Sequence, residues 1–313
     1  KTGRPGPVLV EITRSAQVEE SEYIWPVPMD LPGYQPAFEP IPRQIERAAE
    51  EIARAQAPVF YVGGGLVRAR AEKELRELVA LSDAAVVTTL PARGAFPDSD
   101  PHNLKMPGMH GTVPAVGALQ RADLVVALGA RFDDRVTGKL DSFAPRARIV
   151  HAAEMSKNRY ADVAVIADLK PALAALNAAL PEAYERLGKP DLSGWWRYLN
   201  RLRETYPLGW AEPTDGFMAP QEVISKLSSI AGPEAIYVTG VGQHQMWAAQ
   251  FIEFEEPSHF ISSCGLGTMG YCIPAAMGAQ VGAPDKVVWA VDGDGSFQMT
   301  NQELATCSIN RIP

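Results

Sequence analysis

Asp292, Asp294 and Ser296 alternate with Gly293 and Gly295 directly after the apolar run Val287-Val-Trp-Ala-Val291. Carboxylates at that spacing bind hard cations, and the flanking glycines leave bare backbone for phosphate oxygens. Two chemistries compete. Asp292, Asp294, Ser296 and Glu303 fall at the first, third, fifth and twelfth positions of a calcium-loop pattern. That loop needs glycine at its sixth position, where Phe297 stands, and a helix before it, where this chain has a β-branched strand. The other chemistry is a strand–turn–helix unit. It presents Asp294 to a divalent ion such as Mg2+ and a helix N-terminus to a diphosphate. This second reading fits better.

Other stretches could also bind. Gly63-Gly64-Gly65 follows the strand-like run Pro58–Val62. It reads either as a nucleotide-binding turn or as a tight strand–helix connection. Gly129-Ala-Arg-Phe-Asp-Asp-Arg-Val-Thr-Gly138 sets two arginines and two aspartates after another apolar run. Such charges need an anionic ligand or one another. Gly108-Met-His-Gly111 and Gly242-Gln-His-Gln-Met246 each place a histidine at a helix start. Neither has metal-ligand spacing, and no Gly-x-Ser-x-Gly nucleophile elbow is present.

Positioning these turns requires alternating strands and helices. Helices are expected at 41–55, 72–81, 112–120, 170–179, 222–230, 243–251, 271–281 and about 300–307. Strands are expected at 58–62, 84–90, 123–128, 147–151, 235–239, 259–263 and 287–291, with a further strand-like run at Val8–Ile12. Apolar strands alternating with helices predict parallel sheets covered on both faces, with ligands at the carboxyl ends of the strands. A proline-rich stretch at 21–42 and a tryptophan-rich one at 190–213 read as linkers. The 313 residues suffice for about two domains. The formal charge is −8 without a basic block, which argues against nucleic acid. No apolar run approaches the roughly 18 residues a membrane span needs. The three cysteines lack metal spacing and fit reduced thiols, so a cytoplasmic protein is expected.

Taken together, the motifs resemble the large, catalytic subunit of acetolactate synthase, a thiamine-diphosphate enzyme of branched-chain amino-acid biosynthesis, in actinobacterial style. The matching runs include Gly94-Ala-Phe-Pro, Gly108-Met-His-Gly-Thr, Gly129-Ala-Arg-Phe-Asp-Asp-Arg, Val241-Gly-Gln-His-Gln-Met-Trp, Gly265-Leu-Gly-Thr-Met-Gly and Gly293-Asp-Gly-Ser-Phe-Gln-Met. They span nearly the whole chain in family order. The resemblance implies an α/β fold with four parts. Residues 1–40 would end a pyrimidine-binding domain and lead into a linker. Residues 41–190 would form a Rossmann-like, FAD-binding central domain. Residues 191–218 would be a second linker, and 219–313 the first half of a thiamine-diphosphate-binding domain.

By the same resemblance, Val241, Gly242, Gln243, His244, Gly295 and Ser296 would contact the diphosphate of thiamine diphosphate. Gly267 and Met269 would lie under its rings, and Asp294 would ligate Mg2+. FAD would meet Arg4, Gly63, Gly64, Gly65, Thr89, Leu90, Gly108, Met109, His110, Gly129, Arg131, Asp133, Arg135, Val136, Glu154 and Asp168. The resemblance places no catalytic residue in this chain, because the activating glutamate belongs to the family's first domain. It implies substrates such as pyruvate and 2-ketobutyrate, CO2 release, a structural FAD, a homodimer or larger parent and a regulatory small subunit. It also implies a fragment without synthase activity of its own. Three departures stand out. Four residues are absent after Ala152, among them an acid that would hold the FAD adenosine end. Thr13-Arg14-Ser15 replaces Pro-Lys-Asp, and Cys264 stands where glycine is usual. Two alternative functions are another thiamine-diphosphate carboligase or decarboxylase, and a non-catalytic FAD- or nucleotide-binding module.

Overall fold

A computed structural model describes residues 6–26, 32–34, 36–152 and 160–313. Arg4 and Glu154 lie outside the described residues. Two parallel sheets organise the chain. The first holds β1 (Pro58–Val62), β2 (Ala85–Thr88), β3 (Leu124–Leu128), β4 (Arg148–Ala152) and β5 (Val163–Val165), in the order β2-β1-β3-β4-β5. The second holds β6 (Ile236–Thr239), β7 (Phe260–Ser262) and β8 (Val288–Val291), in the order β7-β6-β8.

Strand alternation divides the first sheet's residues between two cores. Phe60 and Val62 face the helices Pro42–Arg54, Glu72–Ser82 and Leu169–Leu187, with Ile52, Leu75 and Leu173 in one buried cluster. Val59 and Tyr61 face the other way, onto the helices Val113–Arg121 and Ser193–Thr205. Trp195 and Leu199 of the tryptophan-rich helix are buried in that second cluster. The smaller sheet is covered by helices Pro220–Ala231 and Gln243–Phe251 on one face and by Cys272–Gly282 on the other.

Sequence expectations and structure agree closely inside both sheets, but the short helices Gly64–Ala69 and Asp134–Thr137 fall outside the expected helices, and four further places differ. Val8–Ile12 forms no strand. Its apolar side chains are exposed and no described strand pairs with it, so its backbone has no ladder to join. Thr13 instead caps a short helix, Arg14–Val18. β5 escaped detection because three residues are too few to show alternation. The helix expected to end at 179 runs to Leu187, carrying Pro181 inside it, because Leu180 and Ala183 continue its buried face. The helix expected at 300–307 is two helices, Asp294–Thr300 and Glu303–Asn310.

In both sheets the chain winds outward from the first strand and then reverses. The reversal lies between β1 and β3 in the larger sheet and between β6 and β8 in the smaller. A crevice opens at such a point, at the carboxyl ends of the strands.

Candidate functional site

The sharpest convergence lies at the β6/β8 reversal. Gly240, Val241 and Gly242 leave β6 and lead into the helix Gln243–Phe251. Gly242 has φ 152° and ψ −159°, a conformation that glycine alone adopts without strain. Asp292 and Gly293 leave β8, and Asp294 opens the next helix. β6 and β8 are direct neighbours, with Thr239 beside Val291, so the two turns lie side by side.

His244 and Asp292 meet across this junction. His244 Nε2 is 3.7 Å from Asp292 Oδ1, and their side chains are 16% and 6% exposed. Asp292 Oδ1 accepts the Gly293 N–H at 3.0 Å. His244 Nε2 and Asp292 Oδ2 are buried without a hydrogen-bond partner. Burial pushes the His244 pKa below the ordinary histidine value, while the Asp292 carboxylate and then the Gly240 backbone pull it upward. A Cβ on Gly240 would collide with the Asp292 carboxylate and approach His244 Nε2 and Ser296 Oγ to 2.9 Å each. One on Gly293 would lie 3.1 Å from His244 Cε1. Glycine at both positions is therefore what lets the histidine and the carboxylate share this space.

The loop after β7 closes the other side. Ser296 is buried, and its Oγ accepts the Gly270 N–H at 3.0 Å. Thr300 Oγ1 donates to Gly270 O at 3.0 Å. Met269 Cε lies 3.4 Å from where a Gly295 side chain would begin, and Val241 Cγ1 lies 3.6 Å from the same point on Gly267. Cys264, on this loop, has its thiol pushed up to about 11 by burial. The candidates Val241, Gly242, His244, Gly267, Met269, Gly295 and Ser296 thus share one junction, and the Asp294 position is solvent-exposed beside it. Gln243 is likewise exposed on the first turn of its helix.

Among the described residues, no cluster of three or more His, Cys, Asp or Glu could hold a metal by itself. Ser296 is engaged with Gly270, and Glu303 accepts from Thr306. Asp292, Ser296 and Glu303 thus do not assemble with Asp294 as a calcium loop. An ion at Asp294 would need ligands from elsewhere, as Mg2+ does when substrate phosphates complete its shell.

The second group of candidates gathers at the β1/β3 reversal. Gly63–Gly65 follow β1, Thr89 and Leu90 follow β2, and Gly129 and Arg131 follow β3. Much of the glycine content here serves packing. Gly63 N–H donates to Leu128 O and Gly65 N–H to Gly129 O, both at 2.9 Å. A Cβ on Gly65 would lie 2.7 Å from Gly129 O, and one on Gly129 (φ +61°) would lie 2.6 Å from Leu66 N. Arg131 pairs with Asp133, and Asp133 Oδ1 accepts the Arg135 N–H at 3.1 Å. The loop carrying Gly108, Met109 and His110 lies over this turn, with Met109 N–H donating to Arg135 O at 3.3 Å. Val136 is packed against the second core cluster. Thr89 is 8% exposed and its Oγ1 is buried without a hydrogen-bond partner. Asp168 follows β5 and donates its N–H to Phe38 O at 3.0 Å.

Sequence reasoning gave no role to Gly240 or Arg93, and to Asp292 only the first position of a calcium loop. Gly240 had a local signal, since Gly-Val-Gly follows a strand. The partnership of Asp292 with His244 had none, because it arises only when β8 docks beside β6.

Comparisons with known proteins agree with this geometry. The model of the thiamine pyrophosphate enzyme central domain matches residues 45–176. The model of the thiamine pyrophosphate enzyme C-terminal TPP binding domain matches residues 240–313. The acetolactate synthase of Mycobacterium leprae is 57% identical across the whole chain, which covers 50% of that protein. The acetolactate synthase large subunit of Corynebacterium glutamicum is 52% identical, again across the whole chain and 50% of its own length. A chloroplastic acetolactate synthase of Nicotiana tabacum is 44% identical, with 47% of its length covered. The chain thus spans about half the length of the curated relatives it matches. Two domain matches to one family, in order along the chain, and this level of identity show that the chain belongs to the thiamine pyrophosphate enzyme family, where it is similar to acetolactate synthase large subunits.

Proposed function

We propose that the β6/β8 junction holds the diphosphate of thiamine diphosphate, with Mg2+ at Asp294. We further propose that the chain forms part of an acetolactate synthase. The cofactor reading is carried by one observation: two glycine turns meet around the buried His244 Nε2, which makes no hydrogen bond of ordinary geometry and stands 3.7 Å from Asp292 Oδ1. Buried polar groups of this kind find a partner from protein, water or ligand. The helix Gln243–Phe251 adds the unpaired N–H groups and positive dipole end of its first turn. Gly242, Gln243 and His244 would hold the diphosphate. Met269 and Gly267 would support the rings, and Ser296 would fasten the Gly270 turn beneath them.

When bound, thiamine diphosphate supplies the electron sink for cleaving and forming bonds beside a 2-keto group. The chain's own residues bind and orient it. The family names support pyruvate and a second 2-ketoacid as substrates, joined with loss of CO2 in branched-chain amino-acid biosynthesis. FAD is proposed at the β1/β3 crevice, beside Thr89, Gly108 and Arg131, in a structural role. A second copy of the subunit and a regulatory small subunit are the proposed partners.

The test is titration calorimetry of the 313-residue chain with thiamine diphosphate and Mg2+. Asp294→Asn should weaken Mg2+-dependent binding by at least about tenfold, the scale of a lost charged contact. The melting temperature should stay unchanged, because that residue is exposed. Equal affinity in the variant would remove Asp294 from the site.

A further inference from the structure

A buried guanidinium bridges the units built on the two sheets. Arg93 follows β2 and heads the fully buried side chains by size. Its side chain and that of its partner Asp98 are both 0% exposed. Arg93 Nε donates to Ala249 O at 3.2 Å, and Nη1 donates to Thr88 Oγ1 at 3.2 Å and to Asp98 Oδ1 at 2.9 Å. Nη2 donates to Asp98 Oδ2. The Arg93 Cζ stands 5.2 Å from the Phe254 ring centroid. Asp98 Oδ2 also accepts the Phe254 N–H at 3.0 Å, and Asp98 N–H donates to Phe254 O at 2.9 Å.

Burying a charge this deeply is costly unless it is paired and fully hydrogen-bonded. Here the compensation comes from both domains at once. Thr88 and Asp98 belong to the central domain, while Ala249 and Phe254 belong to the C-terminal one. Ala249 lies in the last turn of the helix Gln243–Phe251. A cation against the carbonyls of that turn matches the negative end of the helix dipole. The first turn of the same nine-residue helix carries Gln243 and His244 at the β6/β8 junction.

We propose that Arg93 is a positioning residue for the diphosphate site. By gripping Ala249 O from the end of β2, it fixes the tilt and depth of the helix Gln243–Phe251. The helix then presents Gly242–His244 to the cofactor. The role rests on the thiamine-diphosphate reading above and acts entirely through the helix, since Arg93 sits at its opposite end.

Arg93→Met combined with Asp98→Asn removes both buried charges together and leaves an amide oxygen for the Phe254 N–H. In hydrogen exchange on the 313-residue chain, amides of Met246–Ile252 should lose about tenfold or more of their protection, while β1 and β3 keep theirs. Calorimetry should show thiamine diphosphate with Mg2+ binding about tenfold more weakly. If the double variant does not fold, Arg93→Lys keeps the charge but presents a single nitrogen, and it should give the same two changes. Unchanged helix protection, a loss spread evenly over the central sheet, or unaltered affinity despite a loosened helix would each overturn the proposal. A wild-type chain that binds no thiamine diphosphate with Mg2+ would overturn the cofactor reading, and with it the positioning role. Variants that keep full affinity and full helix protection beside a binding wild type would overturn the positioning role alone.

Discussion

His151 owes its protonation behaviour chiefly to burial. It lies on β4, 3% exposed, with Nε2 2.8 Å from Ala130 O and its ring 5.6 Å from Phe132. Burial pushes its pKa below the ordinary histidine value, against a smaller upward pull from the Ala130 carbonyl. A histidine with a lowered folded pKa binds fewer protons folded than unfolded. Its contribution is therefore intact above the unfolded value of about 6.5 and is lost as pH falls below it. The melting temperature should drop between neutral pH and pH of about 5. His151→Gln, which can still donate to Ala130 O, should show a shallower drop; equal pH dependence would count against this role. Legibility at this scale tracked locality. The Asp292–Ser296 turn could be read because its residues are consecutive. The paired charges Arg131 and Asp133 could be read as a network or a ligand site, and the structure pairs them with each other. The His244–Asp292 contact could not be read, since the two residues lie 48 positions apart in the chain.

At the scale of elements, the glycines after β1 and β3 act as a joint. Gly65 and Gly129 lie so close that a side chain on either must displace backbone. Gly65→Ala should cost about 2 kcal/mol, typical of overpacking a rigid site, read as a lower denaturant midpoint with unchanged slope. A neutral effect would show that the joint can relax. Hydrophobic periodicity placed most strands and helices within a residue or two, because apolar runs and helical stripes are local properties. It failed where tertiary contact decides. Val8–Ile12 has strand composition but no partner, and Leu169–Leu187 tolerates Pro181 because its buried face continues. Sheet order also had no local signal, so the two chain reversals that create the crevices emerged only from the strand pairing.

Across the whole molecule, stability is distributed unevenly. The central domain places large buried clusters on both faces of five strands, whereas the C-terminal sheet has three strands and two small clusters. On β8, Trp289 is 39% exposed. Thinly covered units open at lower free energy than the global transition. Among the contacts that tie this unit to the central domain, Arg93 to Ala249 and Ser99 to Glu255 each join residues 156 positions apart. Nothing local in the sequence announces them. On the helix Cys272–Gly282, which packs on the smaller sheet, the Cys272 thiol is fully buried. It donates to Val238 O at 3.2 Å, and burial pushes its pKa up to about 12. Cys264 and Cys307 are only partly covered. A thiol reagent followed by peptide mass spectrometry should therefore mark Cys307 early and Cys272 late. Low denaturant should speed Cys272 before the β1 and β3 amides exchange. Labelling of Cys272 as fast as Cys307 in native buffer would contradict this ordering. Used this way, the hidden sulfur serves as a clock, in which each labelled molecule records one moment when the β6–β8 seam came apart.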